Sequence, residues 1–364
     1  LQFFIYVFKV PDELFLCVFG LIVGVSQKAA KYRAFLLKML PLAAFAVPLA
    51  ILYVANPFDV SLNVSAQASF ELMWKGRTFQ LFFIWLIALE LILSWEGLAT
   101  NFRNHSRLAA CLVALLLPSV YLLLAFMGLN DTIAAASSQM GVAFSESMPL
   151  ALEYLVFAAF FCIIAFIWFG KKGLTEFLLP TLFLLLVGSL YIIDNIFPYG
   201  QFTPFQLLVP TTASLSEGVL RFMGYATVSG VEFASGMPTL TVSGPVGNAT
   251  FAIAWPCAGI ESLLIFTAVA LLFLKRMRLS WKAKIGFFAL GAAVTYFINI
   301  LRIAQIFILG MQYGEYSAEV NAFHFYYGPL YAMVWIVSYP LIIVAANLVL
   351  EKFRKPQPPP PAPA

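Results

Sequence analysis

The sequence predicts an all-α polytopic membrane protein of about nine transmembrane helices with a small strand-containing extracytoplasmic loop. Three observations predict it. Only 10% of the 364 residues are charged while 62% are hydrophobic, a balance outside that of soluble domains. Apolar runs near the ~20 residues a helix needs to cross a bilayer recur along the chain. Lys and Arg collect in every second connecting segment, as the positive-inside rule requires of a multi-pass protein.

In chain order the crossings fall at roughly 12–26, 36–55, 79–98, 108–129, 150–170, 175–196, 257–274, 285–309 and 327–349. The first is short and follows Pro11-Asp12-Glu13. No basic stretch precedes it, so no removable signal peptide is expected. Lys28, Lys31, Arg33 and Lys38 follow the first crossing, and Arg103 and Arg107 follow the third. Lys171 and Lys172 follow the fifth; Lys275, Arg276, Arg278, Lys282 and Lys284 follow the seventh; Lys352, Arg354 and Lys355 follow the ninth. These basic segments are expected in the cytoplasm, which puts the C-terminus inside and the N-terminus outside a cell membrane. Three glycosylation-type sequences, Asn63-Val64-Ser65, Asn130-Asp131-Thr132 and Asn248-Ala249-Thr250, fall on the predicted outer side, and Asn104-His105-Ser106 falls on the inner side.

Residues 1–174 form the N-terminal transmembrane helices. Residues 175–350 are expected to form a second membrane region, the core, with an extracytoplasmic loop at 198–256. The first part of that loop, "PFQLLVPTTASLSEGVLRFMG", suits an interfacial or re-entrant helix. The second part, rich in Val, Thr, Phe and Gly, suits two to four short strands. The tail at 351–364 is proline-rich and expected to be disordered and cytoplasmic. No internal repeat supports the inverted-repeat plan of transporters.

Four cysteines occur, at 17, 111, 162 and 257. The first three lie inside apolar runs with no paired spacing, so they are expected to be packing residues. Neither a disulfide framework nor a metal site is suggested.

Ionisable groups within or beside spans carry the functional information in such a chain. Cys257 begins the seventh crossing at its outer end. Arg302 lies about two turns short of the outer end of the eighth. His324 precedes the ninth at the same face. The topology therefore brings a nucleophile, a permanent cation and an acid/base to one level of the membrane. A helix N-terminus favours the thiolate, the nucleophilic form of cysteine. Pro256 suits a helix start. Gly259 permits close approach to the backbone, and the N–H groups of Ala258 and Gly259 are candidates to hold an oxyanion. His324 is a candidate general base or acid. Arg302 can stabilise an oxyanion or clamp a carboxylate.

Each residue has a plain alternative: packing for the thiol, polar edging for the histidine, a structural ion pair with Glu261 for the arginine. A charge at that depth costs about 2.5–3.5 kcal/mol on insertion scales, so it needs a partner or a polar cavity. Glu261, one turn after Cys257, and Asn299, three residues before Arg302, are expected to support the reacting groups. Asp194 and Asn195 are expected to line the same cavity. Glu90 and Glu153 sit within other crossings without an assigned role, and His105 is expected to be solvated.

In their order and side, "PCAGIES" at 256–262, "NILRI" at 299–303 and "HFYYG" at 324–328 resemble the exosortase/archaeosortase family of membrane-embedded cysteine transpeptidases. The matching positions are Cys257, Gly259, Ile260 and Ser262; Asn299 and Arg302; His324 and Gly328. The resemblance spans roughly residues 175–350. Ala258 and Glu261 stand where many bacterial members have Ser and Arg, which tilts the likeness toward archaeal members.

The resemblance implies Cys257 as nucleophile, His324 as acid/base and Arg302 as stabiliser of the oxyanion or thiolate. It implies substrates with a C-terminal sorting signal (a short motif, a transmembrane segment and a basic cluster) and transfer of the cleaved protein to an acceptor, a lipid in the expected case. No cofactor or metal and no nucleic acid is implied. Two other classes stay open. One is a membrane transferase on a lipid-linked donor, which would not need Cys257. The other is a non-catalytic transporter or structural subunit in which Arg302 pairs with Glu261.

Overall fold

The computed structural model describes residues 27–55, 77–99, 105–197, 207–231, 237–277 and 279–353. The crossing expected at 12–26, Cys17, Asn63 and residues 354–364 of the proline-rich tail lie outside them; residues 351–353, expected to open the tail, instead continue the last helix. Among the described residues six helices are long and apolar enough to span a membrane, and Phe79–Leu93 is a shorter apolar one. The chain is a multi-pass helical protein.

The first half is a helical bundle. It comprises α1 (Gln27–Ala55), α2 (Arg77–Leu93), α3 (His105–Leu115), α4 (Leu117–Phe126), α5 (Leu129–Gln139), α6 (Met148–Phe169), the short α7 (Lys171–Glu176) and α8 (Leu178–Ile196). Aromatic rings lock it: Phe45, Phe83 and Phe161 meet edge to face with centroids 5.3–6.2 Å apart, the arrangement the ring quadrupole favours. The crossing expected at 108–129 is not one continuous helix. A turn at Leu116 ahead of Pro118 divides α3 from α4, and Gly128, at φ 91°, redirects the chain into α5. Asn130 is thereby 2% exposed, so its glycosylation-type sequence presents no acceptor to solvent. Asn248 is exposed.

Basic and acidic groups at or just beyond the expected inner ends of four crossings meet at one end of the bundle. Arg276 reaches the carboxylate of Glu90, which is fully buried, and Glu176 at 3.2 Å. It also donates to Ser94 Oγ and to Leu93 O. Lys275 lies 3.3 Å from Glu176. Lys38 donates to Trp95 O and sits over the Trp95 ring. Glu90 therefore has a structural role. Glu153, also fully buried, accepts from Gln80 Nε2 at 2.5 Å.

The second half builds the opposite end. An amphipathic helix, α9 (Leu208–Phe222), precedes three strands, β1 (Ala226–Val231), β2 (Pro238–Gly244) and β3 (Gly247–Ala252). They pair antiparallel in the order β1-β2-β3, with Leu240 opposite Phe251 and Val242 opposite Ala249. Alternation puts Leu240, Val242 and Ala249 on one buried face. A 3₁₀ turn (Trp255–Ala258) follows, then α10 (Ile260–Arg276), α11 (Trp281–Tyr313), α12 (Ala318–Ala322), a π-helical turn (Phe323–Tyr327) and α13 (Gly328–Phe353).

At 33 residues α11 is about 50 Å long, well beyond the ~30 Å hydrocarbon core. Its C-terminal turns therefore serve as a post for the sheet. Phe307 packs edge to face on Phe251 at 5.1 Å, and Glu315, just past the helix, accepts from Thr250 N at 2.6 Å. Arg302 accordingly sits about three turns from the helix end rather than two. Gly291 allows α10 and α13 to close on α11: a Cβ there would lie 2.4 Å from Phe266 and 2.5 Å from Tyr339.

Candidate active site

The site lies where the sheet hands the chain back to the helices. Ala258, fully buried, shares an apolar cluster with Leu240, Val242 and Ala249 from the strands and Ile303 and Phe307 from α11; Cys257 packs against it. The packing of the sheet on the α11 post thus fixes the cysteine turn.

Cys257 does not open a helix as its spacing suggests. It occupies the 3₁₀ turn, its N–H bonded to Ala254 O at 3.0 Å, and α10 starts only at Ile260. Gly259 is the reason. It joins the two helical pieces at φ 86°, a left-handed conformation open at low cost to glycine. A Cβ there would also lie 3.0 Å from Asn299 Nδ2. That space lets Asn299 donate to Cys257 O at 2.8 Å.

His324 stands on the π-helical turn, a form that occurs mostly as single turns and is frequent at functional sites. Its Nε2 lies 3.6 Å from Cys257 Sγ, within sulfur hydrogen-bonding reach. The local sequence explains the neighbouring carbonyl. Gly328 N–H bonds back to Phe323 O, and Pro329 has no N–H to offer. The His324 carbonyl accepts instead from Arg302 Nη2 at 2.9 Å.

Arg302 also donates through Nη1 to Asn299 Oδ1 at 3.3 Å. Gly328 makes room for it, since a Cβ at that position would lie 2.8 Å from Arg302 Nε. Both partners are neutral. No ion pair joins Arg302 to Glu261, and none joins it to another carboxylate among the described residues. Two of the guanidinium's five N–H groups are engaged, and no carboxylate among the described residues pairs with its charge.

The three expected reacting residues therefore converge, and Asn299 links them. Glu261, in the first turn of α10, does not join: it makes no hydrogen bond or ion pair among the described residues. Asn195 lies elsewhere, 2% exposed, accepting from Ser147 Oγ and donating to Met148 Sδ.

Two residues escaped the sequence reading. Thr212 of α9, fully buried, donates to Ala258 O at 3.4 Å and lies 2.7 Å from Tyr296 OH. Tyr296, Asn299 and Arg302 follow one another at three-residue spacing on α11, a near-continuous stripe along one side of a helix. Each holds one piece of the site: the Ala258 carbonyl through Thr212, the Cys257 carbonyl, and the His324 carbonyl. The stripe was visible in the sequence, but nothing there tied Tyr296 to an α9 threonine 84 positions away.

A family model described as transmembrane exosortase matches residues 73–341, well over half of the chain. The protein belongs to the transmembrane exosortase family, a family of transmembrane sorting transpeptidases. The match begins near the start of α2, upstream of the stretch that carries the three motifs. No curated protein and no solved structure matches the chain.

Proposed function

We propose that this exosortase-family protein is a cysteine protease/transpeptidase that cleaves C-terminal sorting signals of exported proteins at the extracytoplasmic face and passes them to a lipid acceptor. The observation that carries the reading is the contact between Cys257 Sγ and His324 Nε2 at 3.6 Å, beside a guanidinium paired with no carboxylate among the described residues.

Cys257 hands its proton to His324 Nε2, and Sγ attacks the carbonyl carbon of the scissile peptide. The negative charge that builds on the carbonyl oxygen is met by N–H groups of Arg302 that remain unengaged, with the backbone N–H groups near Ala258 as further donors. His324 then returns its proton to the leaving nitrogen as the C–N bond breaks. A thioester on Cys257 remains. An amine or hydroxyl of the acceptor attacks that thioester, its proton passing through His324, and the thiol is restored. Arg302 holds the histidine backbone while its charge faces the reacting centre; Asn299 sets both the Cys257 carbonyl and the guanidinium.

The orientation follows the distribution of charge. Lys38, Lys275 and Arg276 gather at the end remote from Cys257, so that end is assigned to the cytoplasm together with the C-terminus. The transporter reading loses its main support, because the Arg302–Glu261 pair it required does not form.

The test is replacement of Cys257 by Ala and by Ser in the native host, with Cys162→Ala as control. Proteins with C-terminal hydrophobic tails are scored for a size shift. Precursors accumulating only with the position-257 variants bear the reading out and name the substrates. Unchanged processing with alanine at 257 overturns it.

A further inference from the structure

Below the cysteine turn, between α8 and α10, runs a groove of about 290 Å³. One wall carries Leu182 and Leu186 of α8; the other carries Ile260, Leu264 and Ala268 of α10. The lining is otherwise apolar except for Thr267, whose hydroxyl is already bonded to Leu263 O at 2.7 Å. Among the lining side chains, that hydroxyl oxygen is left as an acceptor and no free donor remains.

Its position is as informative as its chemistry. Ile260 lies three residues past Cys257 and packs on the same apolar cluster as the cysteine turn. From Ile260 the lining continues along α10 to Leu271, about 16 Å down the helix. The groove thus starts at the level of the thiol and descends into the membrane.

We propose that this groove seats the transmembrane segment of the protein being cleaved; the proposal rests on the function assigned above. A chain whose scissile carbonyl lies at Cys257 Sγ continues, within a few residues, past Ile260. An extended peptide there would leave its backbone N–H and C=O groups without partners in an apolar groove. A helix satisfies them internally. Lining residues recur at three- and four-residue spacing on both walls, the ridges against which a third helix packs. Ala268 at the floor lets a helix backbone come close. The geometry makes α8 and α10 the lateral gate, and it sets recognition of the transmembrane segment by shape rather than by polar contact.

Leu182 is 43% and Leu186 54% exposed, so both can be changed without opening the core. Leu182→Trp fills the groove; Leu290→Trp, on a 59% exposed position of α11, is the control. Precursors that accumulate in Cys257→Ala cells are followed, and alkylation of Cys257 by a water-soluble maleimide reports the intact site. Leu182→Trp is expected to raise those precursors at least about tenfold with alkylation unchanged, and Leu290→Trp to leave both unaltered. Independently, a benzophenone amino acid at position 186 in the Cys257→Ala background is expected to cross-link to the same precursors.

Normal processing by Leu182→Trp overturns the proposal. So do cross-links confined to lipid or to the chain's own residues 12–26. If Cys257→Ala accumulates no precursor, the functional reading fails and the docking proposal falls with it. Precursors with Cys257→Ala and none with Leu182→Trp separate the two failures.

Discussion

Two arginines on consecutive helices, at opposite ends of the molecule, have been given opposite electrostatic settings. Arg276 closes α10 between two carboxylates, Glu90 and Glu176. Arg302 of α11 touches an asparagine oxygen and a backbone carbonyl and, among the described residues, no carboxylate. Each leaves its Nε without a partner, so the difference lies in the counter-charge alone. A paired arginine fastens helices. An unpaired one keeps its field for whatever negative charge enters or develops beside it. Membrane insertion makes such a charge expensive, and this one stands beside a thiol and an imidazole, the setting on which the proposed function rests.

The largest effect is expected from removing the unpaired charge. Arg302→Ala should lower precursor processing by about 10²–10³-fold, the range seen when an oxyanion donor is lost. Arg302→Lys should not rescue it, because a single ammonium does not span both Asn299 Oδ1 and the His324 carbonyl as the planar fork does. Rates in membranes containing the accumulated precursor decide this. Lysine at near-normal rates would reduce Arg302 to a point charge and weaken the comparison.

At the other end the expected loss is in stability. Arg276→Ala strands the fully buried Glu90 and should destabilise by about 3–5 kcal/mol, read as a lowered unfolding midpoint in detergent. Adding Glu90→Gln should recover much of that loss, while maleimide labelling of Cys257 stays at the wild-type rate in all properly folded variants. Failure of the double variant to recover would mean that Arg276 acts through packing and not through charge.

A smaller effect sharpens the picture behind the cysteine. Tyr296→Phe removes one neutral hydrogen bond and Thr212→Val two, about 1 kcal/mol each, and both should slow Cys257 labelling several-fold, Thr212→Val the more. Thr212→Ser should restore the rate. Equal losses with Ser and Val would show that volume, and not the hydroxyl, holds the turn.

The smallest effect is pH dependence at the paired end. Burial alone would raise the Glu176 pKa, but the Ser94 hydrogen bond and the Lys275 and Arg276 charges outweigh it and hold it below the usual value. A depressed carboxylate contributes stability above its unfolded pKa and loses it as pH falls through the folded one. The unfolding midpoint should therefore be flat around neutrality and decline below about pH 4.3. Glu176→Gln should flatten that decline.

How much of this was legible beforehand follows the physics of each signal. Long apolar runs report spans directly, and eight of the nine expected crossings have helices in the described residues. Helix ends were less readable. Gly259 shifted the start of α10 from 257 to 260, and the sheet stretched α11 beyond its apolar run, because local backbone conformation and packing on a distant element set those limits. The motif residues Cys257, Asn299, Arg302 and His324 could be selected because polar groups stand out in an apolar chain. Glu261 stood out equally and has no hydrogen bond or ion pair among the described residues, while Thr212 and Tyr296 looked ordinary.

By itself the sequence determined that the chain is a multi-pass helical membrane protein, which segments share a side, and which rare polar side chains share a level. Periodicity, length and charge are local properties, and they suffice for that. Tertiary structure alone decided which arginine would be neutralised. It also decided that the cysteine would sit on a 3₁₀ turn, that the His324 carbonyl would turn to Arg302, and that α8 and α10 would leave a groove under the thiol. Those outcomes depend on distances between segments tens to hundreds of residues apart, and only packing sets such distances.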